Sequence, residues 1–162
     1  MASTYTPIAT TTLGSNQTTV SFTSIPATYT DLILVFYANA TTNAGIDFAV
    51  NFNSDTATNY SRTYILGNGS AALSGRTTNA SSYAPGGIYP DCQYSIHIFN
   101  YANTTTFKTA IARVSVSTAY AASTVGLWYK TPEAINRIDI TTSTASNIKS
   151  GSTFTLYGIA AA

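Results

Sequence analysis

Gly45-Ile46-Asp47-Phe48-Ala49-Val50-Asn51-Phe52-Asn53 is the stretch that decides the fold. Ile46, Phe48, Val50 and Phe52 alternate with Asp47, Ala49 and Asn51, a period of two that sends every large apolar side chain to one face. That pattern predicts a half-buried antiparallel strand over residues 45–53. The same period recurs on both sides of it. Residues 18–25 place Val20 and Phe22 on one face, and residues 60–66 read as a further strand. Residues 31–38 are apolar at nearly every position, as a central strand covered on both faces would be. Residues 92–101 and 106–117 form a hairpin around Ala102-Asn103-Thr104, with Tyr94, Ile96 and Ile98 aligned in its first arm. Ala110, Ala112, Val114 and Val116 align in the second arm. Residues 124–130, 135–142 and 152–159 continue the series. Residues 67–87 are small, polar and rich in turn formers, and they predict a long loop with at most one short edge strand. Pro132-Glu133-Ala134 predicts a single helical turn.

The sum is eight to ten strands with turns at short intervals, and no helix of any length. The expected fold is all-β: an antiparallel, jelly-roll-like β-sandwich forming a single domain over residues 1–162. Its expected interior holds Val20, Phe22, Leu34, Phe48, Val50, Ile96, Ile98, Val114, Leu127, Ile140 and Leu156.

Composition agrees with this and narrows the function. In 162 residues there are 29 Thr, 18 Ser, 12 Asn and 23 Ala, so half the chain is small, hydroxylated or amide-bearing. Thr, Tyr and Phe suit a pleated surface. Aromatics at 12% argue against disorder. Charged residues are only 8%, against about 25% in an ordinary globular domain. The net charge of +1 supplies no basic footprint for nucleic acid and no polybasic run for an anionic membrane. The longest apolar run, residues 32–38, is far short of the ~20 residues that a helical membrane span requires. The N-terminus shows neither the charged nor the apolar region of a secretory signal, so a soluble chain made in a cytosol is expected. A surface so poor in ions suits a protein that packs into a large assembly, because it desolvates cheaply.

The usual catalytic constellations fail one by one. His97 is the only histidine, and in Ser95-Ile96-His97-Ile98-Phe99 it alternates with apolar neighbours, as a structural or surface histidine does. Cys92 and His97 lie five apart on one strand, so they point to opposite faces. Asp31, Asp47, Asp55, Asp91, Glu133 and Asp139 are dispersed, and no nucleophile elbow or phosphate loop occurs. Asn53-Ser54-Asp55 with Asn59 offers oxygen ligands for Ca²⁺ but lacks the carboxylate count of a real site, and Asx turns explain it at least as well. The expectation is no enzymatic activity, no metal and no cofactor. Twelve tyrosines remain, to be read as strand fillers, as a protein interface or as a carbohydrate-stacking surface.

Three segments carry a resemblance. They are residues 20–32 (VSFTSIPATYTDL), 50–61 (VNFNSDTATNYS) and 151–159 (GSTFTLYGI). Together they resemble small virion structural proteins of tailed bacteriophages, cyanophages in particular. Such proteins are jelly-roll modules, often trimeric, that serve as capsid decoration (cement) proteins or as parts of tail fibres. The resemblance implies a structural role on the capsid exterior, with the major capsid protein and further copies of the chain as partners. The rival it leaves open is a tail-fibre or tail-tip module that binds a host receptor or surface glycan.

Overall fold

A computed structural model describes residues 4–41, 47–86, 92–116, 119–143 and 146–160. Eleven strands account for most of them, and no helix occurs among the described residues. The strands are β1 (Tyr5–Thr12), β2 (Thr19–Phe22), β3 (Asp31–Ala38), β4 (Phe48–Phe52), β5 (Tyr60–Gly67) and β6 (Ala72–Ala80). They continue as β7 (Cys92–Ile98), β8 (Lys108–Val116), β9 (Ala121–Trp128), β10 (Ile138–Thr142) and β11 (Thr153–Ile159). Eight form one sheet in the order β1-β11-β3-β7-β8-β9-β5-β6, and three form a second, β2-β10-β4. All pairings are antiparallel.

The connectivity is jelly-roll-like. The first strand lies beside the last, β3 lies between β11 and β7, and β2 and β4 flank β10. The segment at Tyr83 exchanges two backbone hydrogen bonds with Val50, taking the fourth place in the small sheet. Beyond β7 the large sheet is extended by β8, β9 and the β5–β6 hairpin. The core forms where the two sheets face. Phe48 of β4 meets Phe36 of β3 and Tyr94 of β7 edge-on at 5.4 and 5.3 Å, and Phe52 meets Trp128 at 5.6 Å. Edge-to-face contacts of this kind add to what burial alone contributes.

Three glycines exist because tyrosine rings lie on the strands. A Cβ on Gly126 would sit 2.3 Å from Tyr83 Cδ2, one on Gly158 2.3 Å from Tyr29 Cγ, and one on Gly75 2.5 Å from Tyr64 Oη. The constraint is close approach, not backbone dihedral.

Ten of the eleven residues expected inside are buried, and Leu127 is not. Strand β9 turns Thr124, Gly126 and Trp128 inward, leaving Val125 and Leu127 on the outer face. The expected half-buried strand over 45–53 begins at Phe48, and all five of its residues are buried; Ile46 lies outside the described residues. Asn51 is covered because its side-chain amide donates to the carbonyls of Asp55 and Ser81. Strand β3 is central in its sheet but covered on one face only: Leu32, Leu34, Phe36 and Ala38 are buried, while Ile33, Val35 and Tyr37 look outward. The loop expected over 67–87 contains nine residues of strand, β6. Pro132-Glu133-Ala134 is irregular, held by Asn53 rather than by a helical hydrogen bond. Strand β1 had no counterpart in the sequence pattern.

Removing the Phe48 ring, which is fully buried, should cost about 3–5 kcal/mol in urea unfolding. Gly126→Ala should cost roughly 1–3 kcal/mol by driving a methyl into Tyr83. A loss well under 1 kcal/mol in both variants would contradict the facing of the two sheets.

Candidate binding surface

The residues singled out in the sequence disperse rather than assemble. Cys92 faces the core and is completely buried, whereas His97 stands on the outer face of the large sheet. One His97 ring nitrogen lies 2.9 Å from the Asp31 carboxylate, and the ring stacks on Phe99 at 4.1 Å between centroids. No described serine hydroxyl hydrogen-bonds that ring. Asp47 pairs with Arg62 at 3.1 Å and Glu133 with Lys130 at 3.2 Å. Asp139 accepts from Arg137 Nε and from the Ser21 and Ser54 hydroxyls. Asp91 lies outside the described residues. No three His, Cys, Asp or Glu side chains cluster among the described residues.

The Asn53–Asn59 loop is an internal brace. Asn53 and Ser54 both have positive φ, 51° and 57°, and Asp55 N donates to Phe52 O at 2.9 Å, a type I′ geometry. Asn53 Oδ1 accepts from the backbone of Asn136 and Arg137, and its amide donates to Ala134 O. The Asp55 carboxylate accepts from Trp128 Nε1 at 2.7 Å, from Asn59 Nδ2 at 3.0 Å and from Ala57 N at 3.0 Å. Burial pushes this carboxyl up, and the bonds from Asn59, Trp128 and Ala57 more than offset it, leaving its pKa below the usual range. Its oxygens are spent on the chain's own donors, in the Asx-turn manner.

Lys108 was not singled out in the sequence. It is 2% exposed, and its ammonium donates to the carbonyls of Asn103 and Thr106 at 2.6 and 2.7 Å. Burial lowers its pKa. Strand parity could have found it, since Lys108 shares the inward face of Ala110, Ala112 and Val114.

What remains open is surface. The outer face of the large sheet carries an apolar row across five strands, Tyr157, Ile33, His97, Ile111 and Val125, joined pairwise by the strand register. A depression of about 290 Å³ lies on this row at Ile33, His97 and Ile111, and a second of about 220 Å³ adjoins it, sharing Ser95 and Arg113. The second open feature is β6. It is exposed along nearly its whole length and holds one charge, Arg76, and no proline. The opposite edge, β1, carries Pro7 and a register shift between Pro7 and Ala9, both devices that blunt an edge, whereas β6 has a register shift only at its Ala80 end, where Asn79 has positive φ. Beside the free edge, Ile65 is 65% and Leu73 52% exposed.

No family model, no curated protein and no solved structure matches the chain.

Asp55→Ala should cost about 2–4 kcal/mol, because it strands the Trp128 indole and two further donors. The Asp55 and Asp139 carboxyls both have folded-state pKa values below their ordinary ones. The unfolded chain therefore takes up their protons first on acidification. Their stabilisation is complete above about pH 4 and is lost as pH falls through the lowered values. The urea midpoint should hold between pH 7 and 5 and fall below 4; a midpoint flat down to pH 2 would contradict this.

Proposed function

We propose that this chain is a structural protein of a tailed-bacteriophage virion, a capsid decoration (cement) protein that binds the outside of the head as a homotrimer. The observation that carries the reading is the surface: 8% charged residues over the whole chain, joined to a nine-residue edge strand exposed along nearly its whole length, with its one register shift confined to the Ala80 end, and the exposed Ile65 and Leu73. A soluble monomer normally blunts its edges and charges its surface. A subunit that docks on neighbours has reason to do neither. The likeness to phage virion proteins adds support of a different kind. Its three segments fall on β2 and the start of β3, on the Asp55 brace and on β11, which are framework positions. They speak for the kind of module rather than for its contacts.

Binding to the shell should rest on apolar and backbone contacts, so salt should screen little of it. A closed three-fold assembly suits the local symmetry of an icosahedral shell. Light scattering should give a particle of about three times the 17.1 kDa chain mass. The protein should remain on sedimented capsids in molar NaCl, in hundreds of copies per virion. Leu73→Lys should weaken assembly while changing monomer stability by less than about 0.5 kcal/mol, since the side chain is exposed. Release by salt would refute the apolar interface. A few copies located at the tail would instead support the receptor-binding tip reading.

A further inference from the structure

We propose that the outer face of the large sheet carries a binding site for an acidic sugar, a uronic-acid type ring whose carboxylate is held by Arg113. The site does not depend on where the protein sits in a virion.

Charge is the first argument. Every described carboxylate is already engaged within the chain: Asp31 by His97, Asp47 by Arg62, Asp55 by Trp128 and Asn59, Glu133 by Lys130, and Asp139 by Arg137. Arg113 is exposed and has no ion-pair partner among the described residues. It stands on β8 between the two depressions and lines both. A guanidinium there presents a planar fork suited to a carboxylate.

The rest of the lining suits a pyranose. Ile33 and Ile111 supply apolar lining, and Phe99, stacked on His97, adds an aromatic ring of the kind that packs on the C–H face of a sugar. Ser95 lies next to Arg113, and Gln93 and Ser115 line the second depression, supplying neutral donors and acceptors for hydroxyls. The depressions, about 290 and 220 Å³, lie at or below the low end of the ~300–1,000 Å³ range of small-molecule pockets, the scale of a small ligand such as a single sugar ring.

Two other occupants fit less well. A peptide laid down as a strand needs free backbone partners, but β3, β7 and β8 are each paired on both sides. A second copy docked across a two-fold axis at the groove would bring Arg113 against Arg113.

The test uses the ¹⁵N-labelled chain at constant ionic strength, titrated with glucuronate and galacturonate. Glucose, galactose, acetate and an oligoglutamate peptide serve as comparators. Saturable shifts should centre on Ser95, His97, Phe99 and Arg113, with the neutral sugars and acetate at least tenfold weaker. Arg113→Gln should reduce uronate affinity by roughly tenfold or more, and Arg113→Lys by less. Both variants alter an exposed side chain, and their spectra will report the fold directly. Absence of saturable shifts, shifts centred elsewhere, or uronate binding unchanged in Arg113→Gln would overturn the proposal. So would acetate or oligoglutamate binding as tightly as uronate, because the site would then read only charge.

Discussion

The hydrogen bond from the Trp128 indole to the Asp55 carboxylate, 2.7 Å long and buried, is the constraint on which the sandwich closes. It fastens the turn after β4, in the small sheet, to β9, in the large one. Phe52, Tyr60 and Trp128 pack around it, with Tyr60 and Trp128 stacked at 6.3 Å. The Tyr60 hydroxyl donates to Asp55 O and accepts from Phe52 N, so the ring is pinned at both of its polar contacts. A buried carboxylate is costly unless its oxygens are satisfied. Here each is, and its removal would leave several donors without water or partner. The same brace holds Asn53 and Ser54 at positive φ, which Asn tolerates better than Ser.

How much of this was legible in the sequence depended on what each strand faces. Strands with one face in the core announced themselves, as β7, β8 and β11 did through strict alternation. Strands β1 and β6 meet solvent on both faces over most of their length, so no apolar period marks them. In β9 the apolar count points to the wrong face, because Val125, Leu127 and Tyr129 outnumber Trp128. The face is set by Gly126 and Thr124 instead: Gly126 leaves room for the Tyr83 ring, and Thr124 O accepts from the Tyr83 hydroxyl. That ring comes from a segment more than forty residues upstream, and no local window contains it. The Asp55 brace was half legible. Asn53, Asp55 and Asn59 stand close in sequence and read as Asx turns, but Trp128 is 73 residues away.

The apolar character of β3 on both faces is a genuine sequence signal with a different meaning from the one first read. A central strand covered on both faces needs a second layer over its outer side. Among the described residues the small sheet and the Tyr83 segment pack on the inner side of the eight-stranded sheet, and Ile33, Val35 and Tyr37 point to the other side. The outer face is therefore neither a core nor an ordinary solvated surface. It is an apolar, hydroxyl-rich plane with few ions, at low cost to desolvate.

Few ions do not mean no electrostatics. In a chain with seven basic and six acidic residues, the position of each charge matters more than the sum. The described acids all point inward to partners or lie in pairs, whereas Arg76, Arg113 and Lys149 have no ion-pair partner among the described residues. Among the described residues, a net charge of +1 thus hides a surface whose uncommitted charge is positive. Arg76 marks the free edge at β6, and Arg113 marks the centre of the outer plane. On a background with few ions, each is a strong local feature, because no described acid pairs with it. Arg76 and Arg113 fall on the two surfaces that the fold leaves unpartnered, which fits anionic or acceptor-rich groups as the complements of both.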